Sequence, residues 1–346
     1  MKKNIYQFNN MIKDPNRKKI FNIIKETIQL SKEYKLFPSH YFTRLGYKKN
    51  QKKFKNYVDN KTIAEIHNSS NIHRTDTISL LEDKVKFYKF CINNNIATSK
   101  VIGLNNQNQF RDEKQNKIVR NKNEFKKVLQ EMLNKNKSVF AKPLDGIQGK
   151  GCFKINRKLL ENEKKISEMY ITIVNSNYIF QETIIQHSAL NNINPYSINT
   201  IRIDTYIDKN STLEVMSALI RFGRAGSVVD NPNESGGFFV PINLKNGKLK
   251  IPGMQLLRVG NTEFYKHPDT NYNLENFQIP YFKESIELVE KAAKILGHKL
   301  VGWDIAITEK GPLIIEGNHN YHIGMQDAAF PGYRTHPVFK KIIEEI

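Results

Sequence analysis

The chain of 346 residues, 39% of them hydrophobic and 25% charged, has the length and composition of two or three globular domains. No run approaches the roughly 18 apolar residues that a membrane span requires. The basic N-terminus is not followed by an apolar segment, so we expect no signal peptide. Cys91 and Cys152 lack metal-ligand spacing, which fits a cytoplasmic protein without a disulfide framework.

The formal net charge of +20 is typical of proteins with an anionic partner, such as a nucleic acid, an acidic membrane surface or a charged substrate. The excess is mostly lysine and is scattered through the chain among many Asn and Ile residues. No nucleic-acid module, aromatic-basic signature or zinc-finger spacing accompanies it. We therefore rank specific nucleic-acid binding below an enzyme that handles phosphate.

The first 75 residues are predicted to be a small helical leader that packs on the main body. A rough helical stripe consists of Ile20, Ile23, Ile24, Ile28 and Leu30. Pro38 interrupts this pattern, and a second helix is predicted from Lys61 to His67. The leader holds no catalytic constellation, and we expect its histidines, His40, His67 and His73, to be ordinary surface or packed residues.

The pattern sharpens from residue 79 onwards. The stretch LLEDKVKFYKFCINNNIATSKVIGL predicts a helix, a turn near Asn93–Asn95 and a strand at Val101–Ile102. A further helix is predicted from Asn123 to about Asn134, with Phe125, Val128, Leu129 and Met132 on its apolar face.

Two strands near Val139 and Phe153 flank a glycine-rich loop that contains Gly146, Gly149 and Gly151. Glycines let backbone N–H groups approach phosphate oxygens, and Lys142 at the strand end adds a positive charge. The alternative is a flexible hairpin loop with a solvated lysine. The pattern is neither a P-loop nor a dinucleotide fingerprint, because no helix follows the loop directly.

After a helical stretch from about Arg157 to Met169, an apolar strand begins near Tyr178 and ends in Gln181, Glu182, Thr183 and Ile184. Such a segment offers backbone N–H and C=O groups to the edge of an adenine and apolar neighbours to its ring. For His187, just beyond, a ribose contact and a packed position are equally compatible with the sequence.

Two further strands each carry an arginine. Arg202 and Asp204 are two residues apart and share one strand face, and Arg221 lies in the next strand. Two guanidinium groups brought to one anion would suit phosphate or carboxylate. The alternative is solvent-facing arginines on an amphipathic sheet, which is our expectation for Arg224. A helix from about Pro280 to Leu296, capped by Gly297, leads to the last strands.

The segment GWDIAITEKGPLIIEGNHN, residues 302–320, predicts a strand, a tight turn and a second strand. It places Asp304, Glu316 and Asn318 at the ends of two paired strands, with Glu316 and Asn318 on one face. Two carboxylates and an amide form an oxygen site suited to Mg²⁺ beside nucleotide phosphates. The alternative is a hairpin whose polar residues only face water.

In this order, the motifs make the sequence resemble the ATP-grasp superfamily, and within it the sugar-transfer-associated ATP-grasp family. The resemblance covers roughly residues 80–325. It rests on Asp83-Lys84, AKPLDGIQGKG at 141–151, FQETIIQH at 180–187, SINTIRI at 197–203, the glycine and arginine segment at 220–237 and the 302–320 hairpin.

The resemblance implies an α+β fold in which two α+β subdomains clasp ATP, preceded by a helical leader. The expected segments are a leader at 1–78, a linking α/β segment at 79–135, a small subdomain with the glycine-rich loop at 136–190 and a large subdomain with the magnesium site at 191–346. Two departures are visible. Gln186, His187 and Ser188 stand where many members have an acidic ribose ligand, and Asn318-His319-Asn320-Tyr321-His322 replaces N-x-x-P-G.

The resemblance also implies roles for individual residues. Arg202 and Arg221 would be catalytic, and Asp304, Glu316 and Asn318 would hold Mg²⁺. The implied ATP-binding residues are Lys84, Lys142, Gly146, Gln148, Gly149, Lys150, Gly151, Gln181, Glu182, Thr183, Ile184 and His187. The implied substrate-binding residues are Ser197, Asn199, Asn231, Gly236 and His319.

The expected activity is an ATP-dependent carboxylate–amine ligase that forms an amide through an acyl phosphate, in cell-surface polysaccharide or small-metabolite biosynthesis. Its cofactors would be ATP and Mg²⁺, and its partners a small carboxylic acid and an amine. A small-molecule or carboxylate kinase on the same scaffold, a non-catalytic nucleotide-binding protein and a nucleic-acid binder are the alternatives. The sequence names neither the acid, the amine nor the oligomeric state.

Overall fold

The structure is a computed structural model that describes residues 2–112, 115–146, 150–227, 230, 236–321, 323–330 and 332–346. Its backbone divides into two units, one formed by Met1–Ser79 with Gln186–Ile346 and the other by Leu80–Ile185. The predicted four-segment division of the chain stays a prediction. Within the described ranges, no helix combines the length and the apolar character needed to cross a membrane.

The leader is helical, as predicted. It contains α1 (Lys2–Lys13), α2 (Ile20–Tyr34), α3 (Ser39–Thr43), a 3-10 helix (Phe54–Asn56), α4 (Asn60–Asn68) and α5 (Thr75–Glu82). The Asp59 carboxylate begins α4 by accepting hydrogen bonds from two backbone N–H groups of its first turn. Of the predicted apolar stripe, Ile23 and Leu30 are buried, but Ile20, Ile24 and Ile28 are exposed.

The leader shares its core with the C-terminal part of the chain, which explains why both belong to one unit. The residues of this core are Val58, Ile63, Ile66, Ile72, Tyr206, Met216, Leu300, Tyr321, Ile323, Tyr333, Val338, Phe339 and Ile342. A buried ion pair adds to the contact, because Arg44 Nε lies 2.9 Å from Asp327 Oδ2. Asp327 also accepts backbone hydrogen bonds from Val58 and Tyr333.

The unit Leu80–Ile185 contains a six-stranded antiparallel sheet and four helices among its described residues. In chain order these elements are α6 (Lys84–Asn93), β1 (Val101–Asn106), β2 (Gln109–Arg111), β3 (Asn116–Ile118), α7 (Lys122–Lys135), β4 (Ser138–Pro143), β5 (Phe153–Asn156), α8 (Arg157–Leu160), α9 (Glu163–Val174) and β6 (Asn177–Glu182). The strand order is β3-β2-β1-β6-β4-β5.

Two helices predicted as continuous are each broken. The predicted helix that starts at residue 79 is wrong in this respect, because the Asp83 side chain accepts hydrogen bonds from the N–H groups of Val85 and Lys86 and begins α6 anew. Asn162 caps α9 in the same way, which separates α9 from α8 within the predicted helix 157–169.

The other unit is built on a seven-stranded antiparallel sheet. Its strands are β7 (Ile201–Ile207), β8 (Leu213–Phe222), β9 (Phe238–Pro241), β10 (Gly253–Met254), β11 (Glu263–Phe264), β12 (Leu300–Thr308) and β13 (Gly311–Asn318), in the order β11-β10-β9-β8-β7-β12-β13. The accompanying helices are α10 (Ser188–Ile193), α11 (Phe282–Leu296), α12 (Gly324–Ala329), a 3-10 helix (Tyr333–Thr335) and α13 (Pro337–Glu345).

The hairpin β12–β13 forms as predicted, with Thr308 opposite Gly311 at the turn. In the adjoining ladder Asp304 pairs with Glu316 on β13 and with Arg202 on β7. The helix α11 ends at Gly297, whose φ of +66° is the left-handed conformation predicted for a glycine cap. The sheet therefore brings residues about 100 positions apart in sequence to one face.

Candidate active site

Arg202 and Asp304 form a bidentate ion pair in the interior of the seven-stranded sheet. Arg202 Nε lies 2.6 Å from Asp304 Oδ1, and Arg202 Nη2 lies 3.1 Å from Asp304 Oδ2. Both side chains are buried, so solvent screens the pair little. The planar guanidinium is thereby fixed in orientation.

Arg221 is brought to the same carboxylate by the neighbouring strand β8. Its Nη2 lies 3.0 Å from Asp304 Oδ2, and its Nε donates to Thr200 Oγ1 at 2.9 Å. Asp230, which the sequence analysis did not single out, accepts a hydrogen bond from the Thr200 N–H at 2.7 Å and lies 3.6 Å from Arg221 Nε. The structure thus brings the two predicted catalytic arginines to one anion, as their strand positions suggested.

The charge on Asp304 follows from these neighbours. Burial by itself raises the pKa of this carboxyl, but the guanidinium groups of Arg202 and Arg221 outweigh burial and hold the pKa well below its ordinary value. Asp304 is therefore ionised throughout the physiological range.

The other two predicted metal ligands lie beside Asp304. The Glu316 carboxyl is exposed and within hydrogen-bonding reach of Asp304. Asn318 Nδ2 donates to Glu316 Oε1 at 3.3 Å and to the Gly302 carbonyl at 3.4 Å. The three predicted ligands are therefore neighbours on one strand pair.

This donor set fits a hard divalent cation. The side chains of Glu316, Asp304 and Asn318 present carboxylate and amide oxygens, which Mg²⁺ prefers. Asp304 and Glu316 are opposite each other in the β12–β13 ladder, so one cation could contact both carboxyl groups. Asp304 Oδ2 already contacts both Arg202 and Arg221, and Oδ1 accepts from Arg202, so a metal would use the remaining lone pair of Oδ1. Among the described residues, no group of three His, Cys, Asp or Glu side chains is arranged as a metal site.

The glycine-rich loop belongs to the other unit, and its described part is held by Lys84. Lys84 Nζ donates to the carbonyl oxygens of Leu144 at 2.7 Å and Gly146 at 3.0 Å. The Gly151 carbonyl accepts a hydrogen bond from Tyr178 Oη at 3.0 Å, and Gly151 has a φ of +72°. In this structure Lys84 thus anchors the loop backbone. Gln148 and Gly149 lie outside the described residues, and Lys150 is exposed.

Lys142 and the predicted adenine segment lie on neighbouring strands of the six-stranded sheet. Lys142 is opposite Ile179 in the β4–β6 ladder, and its Nζ lies 5.6 Å from the centre of the Phe140 ring. Within the segment, Gln181 Nε2 donates to the Ser99 carbonyl at 3.4 Å, and the Glu182 carbonyl accepts from Ser99 Oγ.

The remaining residues of the segment are Thr183 and Ile184. The Thr183 hydroxyl is buried and has no hydrogen-bond partner among the described residues, and Ile184 is half-buried.

His187 lies in the other unit, at the start of α10. Its backbone N–H donates to the Ile307 carbonyl at 2.8 Å, and its Nδ1 accepts a hydrogen bond from the Ala189 N–H at 3.1 Å. Its Nε2 lies 3.4 Å from Glu309 Oε2. These contacts hold the His187 ring beside Glu309, and its contact with ribose stays a prediction.

Two predicted substrate residues are part of a buried amide network. Asn199 is 0% exposed, donates to Gln186 Oε1 and the Asn194 carbonyl, and accepts from Asn194 Nδ2. Ser197 Oγ accepts from the same Asn194 amide at 3.0 Å. A substrate therefore reaches neither side chain without displacing these bonds. Gly236, with a φ of +66°, accepts from Gln255 Nε2 through its carbonyl. Asn231 lies outside the described residues.

His319 is placed in a histidine cluster that the sequence analysis did not foresee. Its ring centre lies 5.6 Å from that of His73 and 6.2 Å from that of His298. His73 and His298 are joined by a 2.9 Å hydrogen bond, and Thr77 Oγ1 lies 2.6 Å from His298 Nδ1. His73 is thus a packed residue, as expected, but the three histidines come from separate segments whose proximity no local spacing reveals.

The mixed fold and its two antiparallel sheets define an α+β protein. The family model described as "Sugar-transfer associated ATP-grasp" matches residues 63–336. The chain belongs to this family, as the sequence motifs indicated. No curated protein matches the chain significantly.

Several solved structures are similar to the chain at low sequence identity. The ATP-grasp ligase PsnB, in a complex with minimal precursor, Mg and ADP, is 13% identical with a TM-score of 0.45; the match covers 79% of this chain and 61% of PsnB. D-alanyl-alanine synthetase A from Vibrio cholerae is 9% identical with a TM-score of 0.48, covering 79% and 67%. The D-alanine–D-alanine ligase from Coxiella burnetii is 9% identical with a TM-score of 0.44, covering 79% and 59%. The chain thus spans less than two thirds of the PsnB length, and the family assignment rests on the match over residues 63–336.

Proposed function

We propose that the protein is an ATP-dependent carboxylate–amine ligase that acts in cell-surface polysaccharide or small-metabolite biosynthesis. Membership of the ATP-grasp family supports an ATP-dependent ligase activity. The observation that carries the proposal is the arrangement around Asp304, where the buried Arg202 and the partly buried Arg221 meet a strand pair bearing Glu316 and Asn318. This arrangement combines anion-binding cations with oxygen donors for a metal ion.

The reaction has two steps. A carboxylate oxygen of the acid attacks the γ-phosphorus of ATP, the bond to the β,γ-bridging oxygen breaks, and ADP leaves with an acyl phosphate formed. The nitrogen of a neutral amine then attacks the acyl carbon, the carbon–oxygen bond to phosphate breaks, and an amide and hydrogen phosphate result, the phosphate taking up the proton lost from nitrogen. Neither step requires a protein nucleophile, because phosphoryl transfer depends chiefly on positioning and charge.

The chain's own residues supply that positioning and charge. Arg202 and Arg221 are proposed to stabilise the transferred phosphoryl group and the oxyanion of the tetrahedral intermediate. Asp304 holds both guanidinium groups in place, so their orientation is set before substrate binds. Asp304, Glu316 and Asn318 are proposed to hold Mg²⁺, which would neutralise charge on the nucleotide phosphates.

We assign nucleotide binding to residues of the unit Leu80–Ile185. Lys142 and the Gly146–Gly151 loop are proposed to bind phosphates, and the Gln181–Ile184 segment is proposed to bind adenine. The two hydrogen bonds from Lys84 to the loop backbone support a role for Lys84 in holding that loop. Its own contact with phosphate or base is proposed only from the family pattern.

The test is a screen for ADP release in which carboxylic acids are crossed with amines, in the presence of ATP and Mg²⁺. We expect ADP formation that requires one acid and one amine together. Glu316→Gln should lower the turnover number at least about 100-fold, because it removes a ligand charge from the metal site. The control is Glu287→Gln, which changes an exposed carboxylate on α11 paired only with Lys283 within the described residues.

Three other outcomes would each contradict part of the proposal. ADP and a phosphorylated acid formed without any amine would establish a kinase instead. Full activity of the Glu316→Gln variant would refute the metal assignment. A wild-type protein that binds ATP but releases no ADP with any pair would favour a non-catalytic nucleotide-binding protein.

A further inference from the structure

A cluster of buried polar side chains lies on the same face of the seven-stranded sheet as Arg202, one step further along β7. It consists of Asp204, Ser217, Tyr321, Gln326 and Tyr333, each at most 5% exposed. Asp204 is two residues from Arg202 on the strand and is opposite Ser217 in the β7–β8 ladder. The proposed ligase mechanism does not use any of the five.

Only one oxygen of the Asp204 carboxylate is satisfied. Its Oδ2 accepts hydrogen bonds from Ser217 Oγ at 2.7 Å and from Tyr333 Oη at 3.3 Å. Its Oδ1 is buried and has no hydrogen-bond partner among the residues that the structure describes. A buried carboxylate oxygen without a donor is costly, so a group that donated a hydrogen bond to it would be bound favourably.

Two neighbouring side chains have unpaired polar atoms as well. Tyr321 Oη and Gln326 Oε1 are buried without a partner in the described part of the chain. The Tyr321 ring lies 5.5 Å from the Arg202 guanidinium carbon and packs on Gly302, where an added Cβ would come within 2.9 Å of the ring. Burial raises the pKa of Asp204 to about 6, against the opposing effects of the Arg202 charge and of the Ser217, Gln326 and Tyr333 side chains.

The unpaired atoms at this place suit an N–H donor. The charge of Arg202 acts on Asp204 and lowers the pKa of that carboxyl, but the Arg202 guanidinium is bound to Asp304 through two hydrogen bonds and does not donate to Asp204 Oδ1. A primary ammonium group has three N–H donors. Asp204 Oδ1, Gln326 Oε1 and Tyr321 Oη are three acceptors without partners among the described residues, and one of them is charged.

We propose that Asp204 Oδ1, Gln326 Oε1 and Tyr321 Oη bind the primary ammonium group of the amine substrate before it is deprotonated for attack. The proposal rests on the proposed function and deepens it, because it names the amine subsite beside the arginines. All three acceptors are buried in this structure, so the proposal requires the side chains that cover them to move when the amine binds. The site therefore selects small primary amines over tertiary or quaternary ones.

The most informative variant is Tyr321→Phe, because it removes only a hydroxyl that has no partner among the described residues and should fold normally. In steady-state kinetics we expect the KM for the amine to rise about tenfold or more, while the KM values for acid and ATP change less than twofold. Asp204→Asn should raise the KM for the amine further. The control is Tyr206→Phe, whose hydroxyl bonds to Glu345 and lies outside the cluster. An unchanged amine KM in Tyr321→Phe would overturn the proposal.

A binding experiment separates this proposal from the proposed function. Methylammonium chloride should raise the melting temperature of the wild-type protein relative to tetramethylammonium chloride at equal concentration, and Tyr321→Phe and Asp204→Asn should abolish the difference. If the difference is found but no acid–amine pair releases ADP, the ligase assignment fails and the ammonium site stands. If wild type shows no difference between the two salts, the ammonium site is refuted whatever the ADP screen gives.

Discussion

Asp304 and Arg202 face each other as a register pair on β12 and β7, and their side chains form a two-point ion pair at 2.6 and 3.1 Å. A second guanidinium, from Arg221, reaches the same carboxylate at 3.0 Å. One buried carboxylate thus orients two arginines. Its loss would leave two positive charges close together, one buried and one partly buried, with Asp204, Glu316 and Asp230 as the remaining negative charges that act on them.

We therefore expect Asp304→Asn to lower the free energy of unfolding by about 3–5 kcal/mol, as the breaking of a buried ion pair does. Denaturant unfolding followed by circular dichroism measures this change. The matched control is Asp76→Asn, because Asp76 pairs with Arg74 at 2.7 Å but both side chains are exposed. Equal losses in the two variants would contradict the structural role given to Asp304.

A second prediction concerns the two hydrogen bonds that Lys84 donates to the glycine-rich loop. Lys84→Met keeps the aliphatic stem of the side chain but removes the ammonium, so we expect faster amide hydrogen exchange in residues 144–151 with little change in β4 and β6. The KM for ATP should rise about tenfold, because the loop is no longer held.

The control for this experiment is Lys86→Met, which alters an exposed lysine on the same helix. Unchanged exchange in the loop of Lys84→Met would show that the two bonds do not hold it. Unchanged exchange together with a raised KM would point instead to a direct contact between Lys84 and the nucleotide.

The fold was predictable where a repeating pattern and a turn signal agree. The β12–β13 hairpin follows from alternating residues and the Lys310-Gly311 turn, and the leader follows from its helical tendency. The breaks at Asp83 and Asn162 were missed because a side chain that caps a helix leaves the apolar periodicity intact. Periodicity alone therefore predicts that a helix or strand is present better than it predicts where that helix or strand ends.

Within the candidate site, the predicted residues that lie close together are those whose positions follow from strand register. Arg202, Asp304 and Glu316 belong to adjacent strands, so their proximity follows once the ladder is known. Asn199 was expected to contact substrate, but it is fully buried. The residue type alone does not reveal whether its hydrogen-bond partners are protein groups or solvent. Asp230 was missed because its partners lie about 10 and 30 residues away.

The third prediction concerns His298 and the effect of acid on stability. Burial, with smaller contributions from His73 and His319, lowers the pKa of His298 to about 3 from its ordinary 6.5. Below pH 6.5 the unfolded chain takes up a proton that the folded chain does not accept until about pH 3. Stability from this group is therefore complete above pH 6.5 and is lost as the pH falls, by at most about 1.4 kcal/mol per pH unit.

His298→Gln removes this contribution, so its deficit in unfolding free energy relative to wild type should be largest at pH 7 and shrink towards pH 4. Asp204→Asn should behave in the opposite way, because burial raises the pKa of Asp204 to about 6 from 3.8. The folded chain then binds the proton first, and wild type gains stability relative to this variant as the pH falls from 6 to 4. Urea unfolding at four pH values measures both profiles, and parallel pH profiles for the two variants would refute at least one of the two assignments.

The last prediction concerns Gly332, which precedes the 3-10 helix Tyr333–Thr335 and touches the leader. Its φ is +75°, and a Cβ added to it would lie 2.1 Å from the Asn56 carbonyl oxygen. Backbone atoms cannot rotate away as a side chain can, so Gly332→Ala should lower the free energy of unfolding by at least about 2 kcal/mol. Gly226→Ala is the control, because Gly226 has a φ of +70° but no described atom within 4 Å of the added Cβ. Gly226→Ala should lower the free energy of unfolding only by the backbone strain, about 1 kcal/mol. An equal loss in both variants would show that the leader does not pack against Gly332 at this distance.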